Sequence, residues 1–453
     1  MAVKRYAPVN IAGISLGVHP VHYLCDTTAE LPSSGLKLGD TALALDTNTL
    51  YKAASATTWD VTGGTGAGAI AGSYAVTVVK SGSTYTATNR AGSLISSGLV
   101  AHTVINAAID YVTTLGGYVF IAAEEYLLTA PILVKDGVGL IGEGNWGRDA
   151  DGGIGRAEGT IIRAGASGLT KLLEFDSAGH QMRVDSIAFD CDPPSGTNAT
   201  CGIYVRSGET RVLNCGVINA VSYGILADIR ASGTALVTPT GTAAASANTV
   251  AVQISHCMAV DNGIGIYTAA TLSDCDIIGC RVLGSSGAAG IYVDGGGAQF
   301  FDNHITTNGS GSNTALTLAS SNMMVISNYF DHVNTSTGIA LVDASTTNRS
   351  TIIGNYFTDP PTNKPCILAD NNFRGTIASN TYTADGGNSF VQSDSTSWSN
   401  TTIMGNFGRR GVTTAPNWLG EIITSAGVPT GTMTTPYVLG TNNYFAGNGS
   451  YLG

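Results

Sequence analysis

The chain has 453 residues, of which 12% are charged, 43% are hydrophobic and 59 are glycine, with a formal net charge of -11. A charged share of roughly 25% is usual for a globular protein, yet the hydrophobic share is ample for a large core, which excludes bulk disorder. The acidic balance excludes nucleic acid and anionic membrane surfaces as partners, because both demand clustered Lys and Arg.

The N-terminus, MAVKRYAPVNIAG, carries basic residues with no apolar region behind them, so no signal peptide is expected. No long stretch is free of charged or strongly polar residues, so no membrane insertion is expected. Synthesis is therefore expected in a cytoplasm, with any exit by another route. Residues 1–62 suggest a small β module, with turns at Pro32–Gly35 and Asp46–Asn48 and a core of Leu43, Leu45, Leu50, Tyr51 and Trp59. Residues 63–96 begin with GGTGAGAIAG, a linker composition, and are expected as linker and neck. Residues 97–115 place Val100, Val104, Ala108, Tyr111 and Leu115 on one helical face, ended by Gly116 and Gly117. An amphipathic helix there can cap an open sheet edge.

From residue 118 to 410 the chain is a succession of short β-branched and aromatic runs separated by Gly, Asn, Ser and Asp. One phrase recurs as QFFDNHI, MVISNYF, TIIGNYF, TIASNTY and TIMGNF, sharing Asn303, Asn328, Asn355, Asn380 and Asn406. Counting back at a similar spacing places Gly279, His256, Asn214 and Asp190 in the same slot, with residues 230–249 as an inserted loop. A second phrase follows each slot: GIYV, GILA, GIYT, GIYV, ALTL, GIAL and CILA. Short strands at a near-constant period of ~25 residues indicate a solenoid, here all-β, with about a dozen coils stacked in parallel about 4.8 Å apart. The asparagines then form a ladder and supply the left-handed residue of a sharp corner. The following slot holds Cys191, Cys215, Cys257 and Cys280. With no C-x-x-C and no zinc spacing, all eight cysteines are expected as reduced thiols, packed rather than forming a metal or redox row. Phe330, Phe357 and Tyr382 are expected to stack in the same manner. Residues 411–453 have one charge, Glu421, and five large aromatics, Trp418, Tyr437, Tyr444, Phe445 and Tyr451. Such a segment is expected to pack on the last coils or on a neighbouring subunit.

The stretch GSTYTATNRAGSLISSGLVAHTVINAAIDYVTTLGGYVFIAAEEYLLTAPILVKDGVGLIGEG, with Ala108–Asp110, Gly116–Gly117 and Ile141–Gly144, resembles the opening of pectin-lyase-like right-handed parallel β-helices. The N-terminal AELP…GLKLGD…LALDTNTLYKA…TTW, through Leu31, Pro32, Gly39, Asp40, Asp46, Leu50, Tyr51 and Trp59, resembles short virion-proximal modules of phage tail fibres and tailspikes. Together the resemblances cover most of residues 25–410. They imply a homotrimeric virion tail protein that attaches to other tail proteins through 1–62. Its β-helix (97–410) binds, and in many relatives cleaves, host surface polysaccharide, with no organic cofactor. Two alternatives are a non-catalytic fibre or adhesin and a free polysaccharide lyase or hydrolase. The W-x-D-H and R-x-P-x-x-R signatures of pectate lyases are absent, so no catalytic residue transfers by motif.

Candidate catalytic residues therefore follow from chemistry. Glycoside hydrolysis uses two carboxylates about 5 Å or roughly 6.5–9.5 Å apart, separations that stacked coils supply. Counting from the asparagine slot aligns Asp228, Asp294, Asp343, Asp370 and Asp394. A second set is Asp302 and His304, expected on one strand face, with Asp331 and His332 one coil on. The D-C-D stretches Asp190/Asp192 and Asp274/Asp276 are candidates for Ca²⁺.

Overall fold

Parallel strands pair in register only when successive segments return to the same side of the molecule, and this chain returns three times per coil. In the computed structural model, residues 74–144, 159–228 and 251–410 are described apart from short loops within them. Short strands at 4–6, 22–25, 41–44, 49–53, 59–61, 147–148, 154–155, 423–425, 444–446 and 449–451 are described as well. The chain divides into two compact units. In the first, five strands pair in sequence order, the second with the third in parallel and the other pairs antiparallel. The expected turn at Pro32–Gly35 and the side chains of Leu43, Leu45, Leu50, Tyr51 and Trp59 lie outside the described residues.

The second unit is a right-handed parallel β-helix. Each coil contributes one strand to each of three parallel sheets. Sheet 1 runs from Gly117–Ile121 to Tyr444–Ala446, sheet 2 from Glu124–Leu128 to Gly449–Tyr451, and sheet 3 from Ile132–Val134 to Ile423–Ser425. The strands beyond residue 411 thus carry the stack one coil further. Within the expected linker, Tyr74–Ser81, Thr84–Asn89 and Leu94–Gly98 are strands that extend sheet 1 at its first edge.

The core is built from columns. Leu140, Val184, Val212, Ile254, Ile277, Phe300, Val325, Ile352, Ile377 and Ile403 stack down the inside of sheet 1, all fully buried. Phe330 stacks on Phe357 inside sheet 2 with centroids 5.0 Å apart. Tyr382 follows in register but stacks on Phe390, whose ring inserts edge-on against Phe357. Helix α1 (Ala101–Thr113) caps the first coil with Ala101, Val104, Ile105, Ala108, Ile109 and Val112. The buried stripe is therefore rotated from the expected one. Val100 and Tyr111 are exposed, because i, i+3, i+4 spacing from Ala101 captures both isoleucines.

Sheets 1 and 2 are joined by a two-residue corner in nine successive coils. Its first residue is left-handed, with φ between 49° and 66°: Ser186, Asn214, His256, Gly279, Asp302, Ser327, Gly354, Ser379 and Gly405. Its second residue points inward. The asparagines are this second residue, so the backward count was displaced by one: Cys215, Cys257 and Cys280 precede Asn303 in its own column. Asp190 is the last residue of a sheet 2 strand, in register with Arg163, and Cys191 lies beside Cys201, both outside that column. Asn328, Asn355, Asn380 and Asn406 each accept from the backbone N–H and side-chain amide of the asparagine one coil before. Seven cysteines are buried free thiols, and burial pushes those of Cys201, Cys215, Cys275 and Cys366 upward, which leaves them unreactive. The side chain of Cys25 lies outside the described residues.

Candidate functional site

In-register pairing also builds columns on the outer faces, where side chains are free to meet a ligand. On sheet 3 one column runs Glu174, Tyr204, Leu226, Tyr267, Tyr292, Thr317, Asp343. The next one along holds Arg206, Asp228, Ala269 and Asp294. At the N-terminal end Glu174 pairs with Lys171 at 2.6 Å and with Arg206 at 2.5 Å, and both cations sit over the Tyr204 ring. Tyr223 and Tyr292 flank Tyr267, each with centroids 5.3 Å away, and Tyr267 and Tyr292 are stacked within 20°.

Exposure changes along this column. Tyr204 and Tyr267 are 2% and 3% exposed, whereas Tyr292, Asp294, Thr317 and Asp343 are half-buried. Burial raises the Asp294 carboxyl above the usual carboxylate range. The Tyr292 phenol is raised by burial and then by the charges of Asp294, two residues along the chain, and Asp343, two coils on in the same column. An aromatic ring beside two acids and a hydroxyl can stack on the C–H face of a sugar while the polar groups take its hydroxyls.

Asp343 thus lies at the open end of this face, although not in the expected file of carboxylates. It falls in the tyrosine column, while Asp228 and Asp294 share a column two coils apart with Ala269 between them. The count failed because it crosses the connection from sheet 2 to sheet 3, whose length varies. Asp370 and Asp394 lie outside the described residues. Asp302 and His304 do not share a strand face. Asp302 is the exposed left-handed corner residue, and His304 starts the sheet 2 strand beyond it. One coil on, His304 is in register with Tyr329, and Asp331 with Thr306. Asp331 accepts from the Thr358 hydroxyl at 3.1 Å, and Tyr329 stacks on Tyr356. Burial, followed by the nearby Arg281, lowers His304 below its ordinary value, against the pull of Asp331. These residues form a separate strip on sheet 2; the side chain of His332 lies outside the described residues.

The Ca²⁺ expectation fails at Asp190 and Asp192, because the Arg163 guanidinium lies 3.5 Å from both carboxylates. Among the described residues no group of three acids, histidines or cysteines gathers to hold a metal. One feature escaped the sequence reading: a groove of about 670 Å³ on sheet 1 that includes Arg183, Arg211, Gln253 and Asp276.

No family model and no curated protein sequence matches the chain. Solved structures do. Tailspike protein 2 of Escherichia coli O157:H7 bacteriophage CAB120 is similar over 84% of this chain, with 12% identity and a TM-score of 0.50. The match covers 51% of the tailspike, so the chain spans about half its length. The A-module of the Azotobacter vinelandii mannuronan C-5 epimerase AlgE6 is similar over 77% of this chain and 95% of its own, at 13% identity and 0.48. PfbA, a surface adhesin of Streptococcus pneumoniae, is similar over 78% and 89%, at 13% and 0.40. The fold is a right-handed parallel β-helix, shared with the phage tailspike.

Proposed function

We propose that this chain is a tailspike-type virion protein whose β-helix binds host surface polysaccharide along the outer face of sheet 3. The observation that carries this reading is the opening of the tyrosine column at Tyr292, with Asp294 just past the end of its strand and Asp343 two coils on in the same column. An extended glycan lying along the stack meets equivalent side chains every coil, about 4.8 Å apart. The N-terminal five-strand unit is assigned to attachment within the virion tail, on its sequence resemblance. A homotrimer is supported by an outward apolar column on sheet 1, in which Ile278, Phe301, Ile326 and Ile353 are half-buried and Met404 is exposed.

Depolymerisation is the second reading, favoured by the raised carboxyl of Asp294. In this reading Asp294 serves as the general acid and Asp343 as the base that activates water. Two coils and one column apart, with about 10 Å of rise alone, the two are too widely spaced for the ~5 Å of a retaining pair, which leaves the inverting arrangement. Asp302, His304 and Asp331, on the separate strip of sheet 2, take no part in this reading, and Asp370 lies outside the described residues. Host capsule oligosaccharides titrated into the purified chain should bind, and Tyr292→Ala should weaken binding about tenfold, the scale of one lost ring contact. On host lawns or purified capsule, Asp343→Asn should abolish clearing while leaving binding in place. Clearing by that variant removes the catalytic assignment; no binding by the wild type removes the reading altogether.

A further inference from the structure

The sheet 1 groove lies on a different side of the coil from the tyrosine column, and its chemistry is different. One column crosses it: Tyr118, Gly139, Arg183, Arg211, Gln253, Asp276 and then Gln299, one residue per coil. Gly139 is required where it stands. A Cβ there would meet the Tyr118 ring at 2.2 Å, so the ring lies across the glycine and forms an aromatic floor at one end. Arg183 and Arg211 follow on adjacent coils, about 4.8 Å apart.

Only one of the two guanidiniums is tied to a carboxylate of the protein. Arg211 is exposed and has no ion pair among the described residues. Arg183 pairs with Asp185, yet its buried Nε has no hydrogen-bond partner. Asp185 also accepts from the Ser186 hydroxyl and the Asn214 amide, so its charge is shared among three donors. Beyond the arginines come the Gln253 amide and the half-buried Asp276 carboxyl, with Glu209 on the rim in a left-handed conformation. Two forked cations beside an aromatic floor select a planar anion attached to a ring. The amide and the two acids beyond them take hydroxyls.

We propose that this groove is a second saccharide site, selective for a carboxylate-bearing sugar of the uronate class. The sugar carboxylate is held by Arg183 and Arg211, its ring rests against Tyr118, and the next unit reaches Gln253 and Asp276. The proposal stands independently of the sheet 3 site.

The test is calorimetric titration of the full chain with trigalacturonate and, as its uncharged counterpart, the methyl-esterified trisaccharide. The acid form should bind at least tenfold more tightly, and this preference should shrink with added salt. Arg211→Ala should abolish the preference, and Arg211→Lys should retain part of it. Gly139→Ala, which displaces the tyrosine, should weaken both forms. Tyr292→Ala should leave all of this unchanged. Equal binding of the two forms, absence of binding, or an unaltered preference in a folded Arg211→Ala protein overturns the proposal. Loss of binding in Tyr292→Ala moves the acidic sugar to sheet 3 and also overturns it.

Discussion

The asparagine column shows how one side chain closes the hydrogen bonding of a corner. Asn355 donates to the carbonyls of Val325 and Ile353 and to the Asn380 side chain, while its own oxygen accepts from the backbone and side chain of Asn328. Asn355→Ala leaves the buried Asn328 N–H without its acceptor and takes one donor each from the carbonyls of Val325 and Ile353, the latter keeping the Ser327 N–H. The expected cost is about 3 kcal/mol, since one stranded group costs about 1–3 kcal/mol, measured by denaturant unfolding. At the other end of the column cysteines stand in for asparagine. Cys280 donates weakly through Sγ to Ile254 and Ile278, the positions that correspond to the acceptors of the asparagines. The recurrence of asparagine made this column legible from sequence. Which of the two corner residues is left-handed was not, because Gly279, His256 and Asn214 are residue types that fit either slot.

Helix α1 shows the same division between what pattern reveals and what geometry decides. Its existence and its capping role follow from composition, yet the buried face includes Ile105 and Ile109 and omits Val100 and Tyr111. Ile105→Ala should destabilise the unit by about 2–5 kcal/mol, as a cavity at a fully buried site does; thermal unfolding measures it. An equivalent truncation at Tyr111 should cost far less. The strands were legible by composition, but the partner of each outward residue was not. Asp343 joined the tyrosine column because connections between sheets 2 and 3 differ in length. The sheet 1 groove had one faint signal, the repeated Arg-Val of 183–184 and 211–212 at the same strand position. Nothing local marks residues that meet only after a full turn of the coil.

For the β-helix as a whole, stability is the sum of coils and their nearest-neighbour interfaces. Removing residues 304–328 takes out one strand from each sheet and joins Asn303 to Tyr329, restoring the corner and handing Asn303 to Asn355 as its new partner. This deletion should fold and melt in one cooperative transition, followed by circular dichroism. Removing only 304–315 breaks the column and should give an unfolded or aggregated product. The asparagines also give the stack a direction. The backbone N–H of Asn303, Asn328, Asn355 and Asn380 finds its acceptor only on the coil that comes later in the chain. A polypeptide leaving the ribosome N-terminus first therefore carries an unmet donor at its growing tip, and each newly made segment delivers the oxygen that answers it.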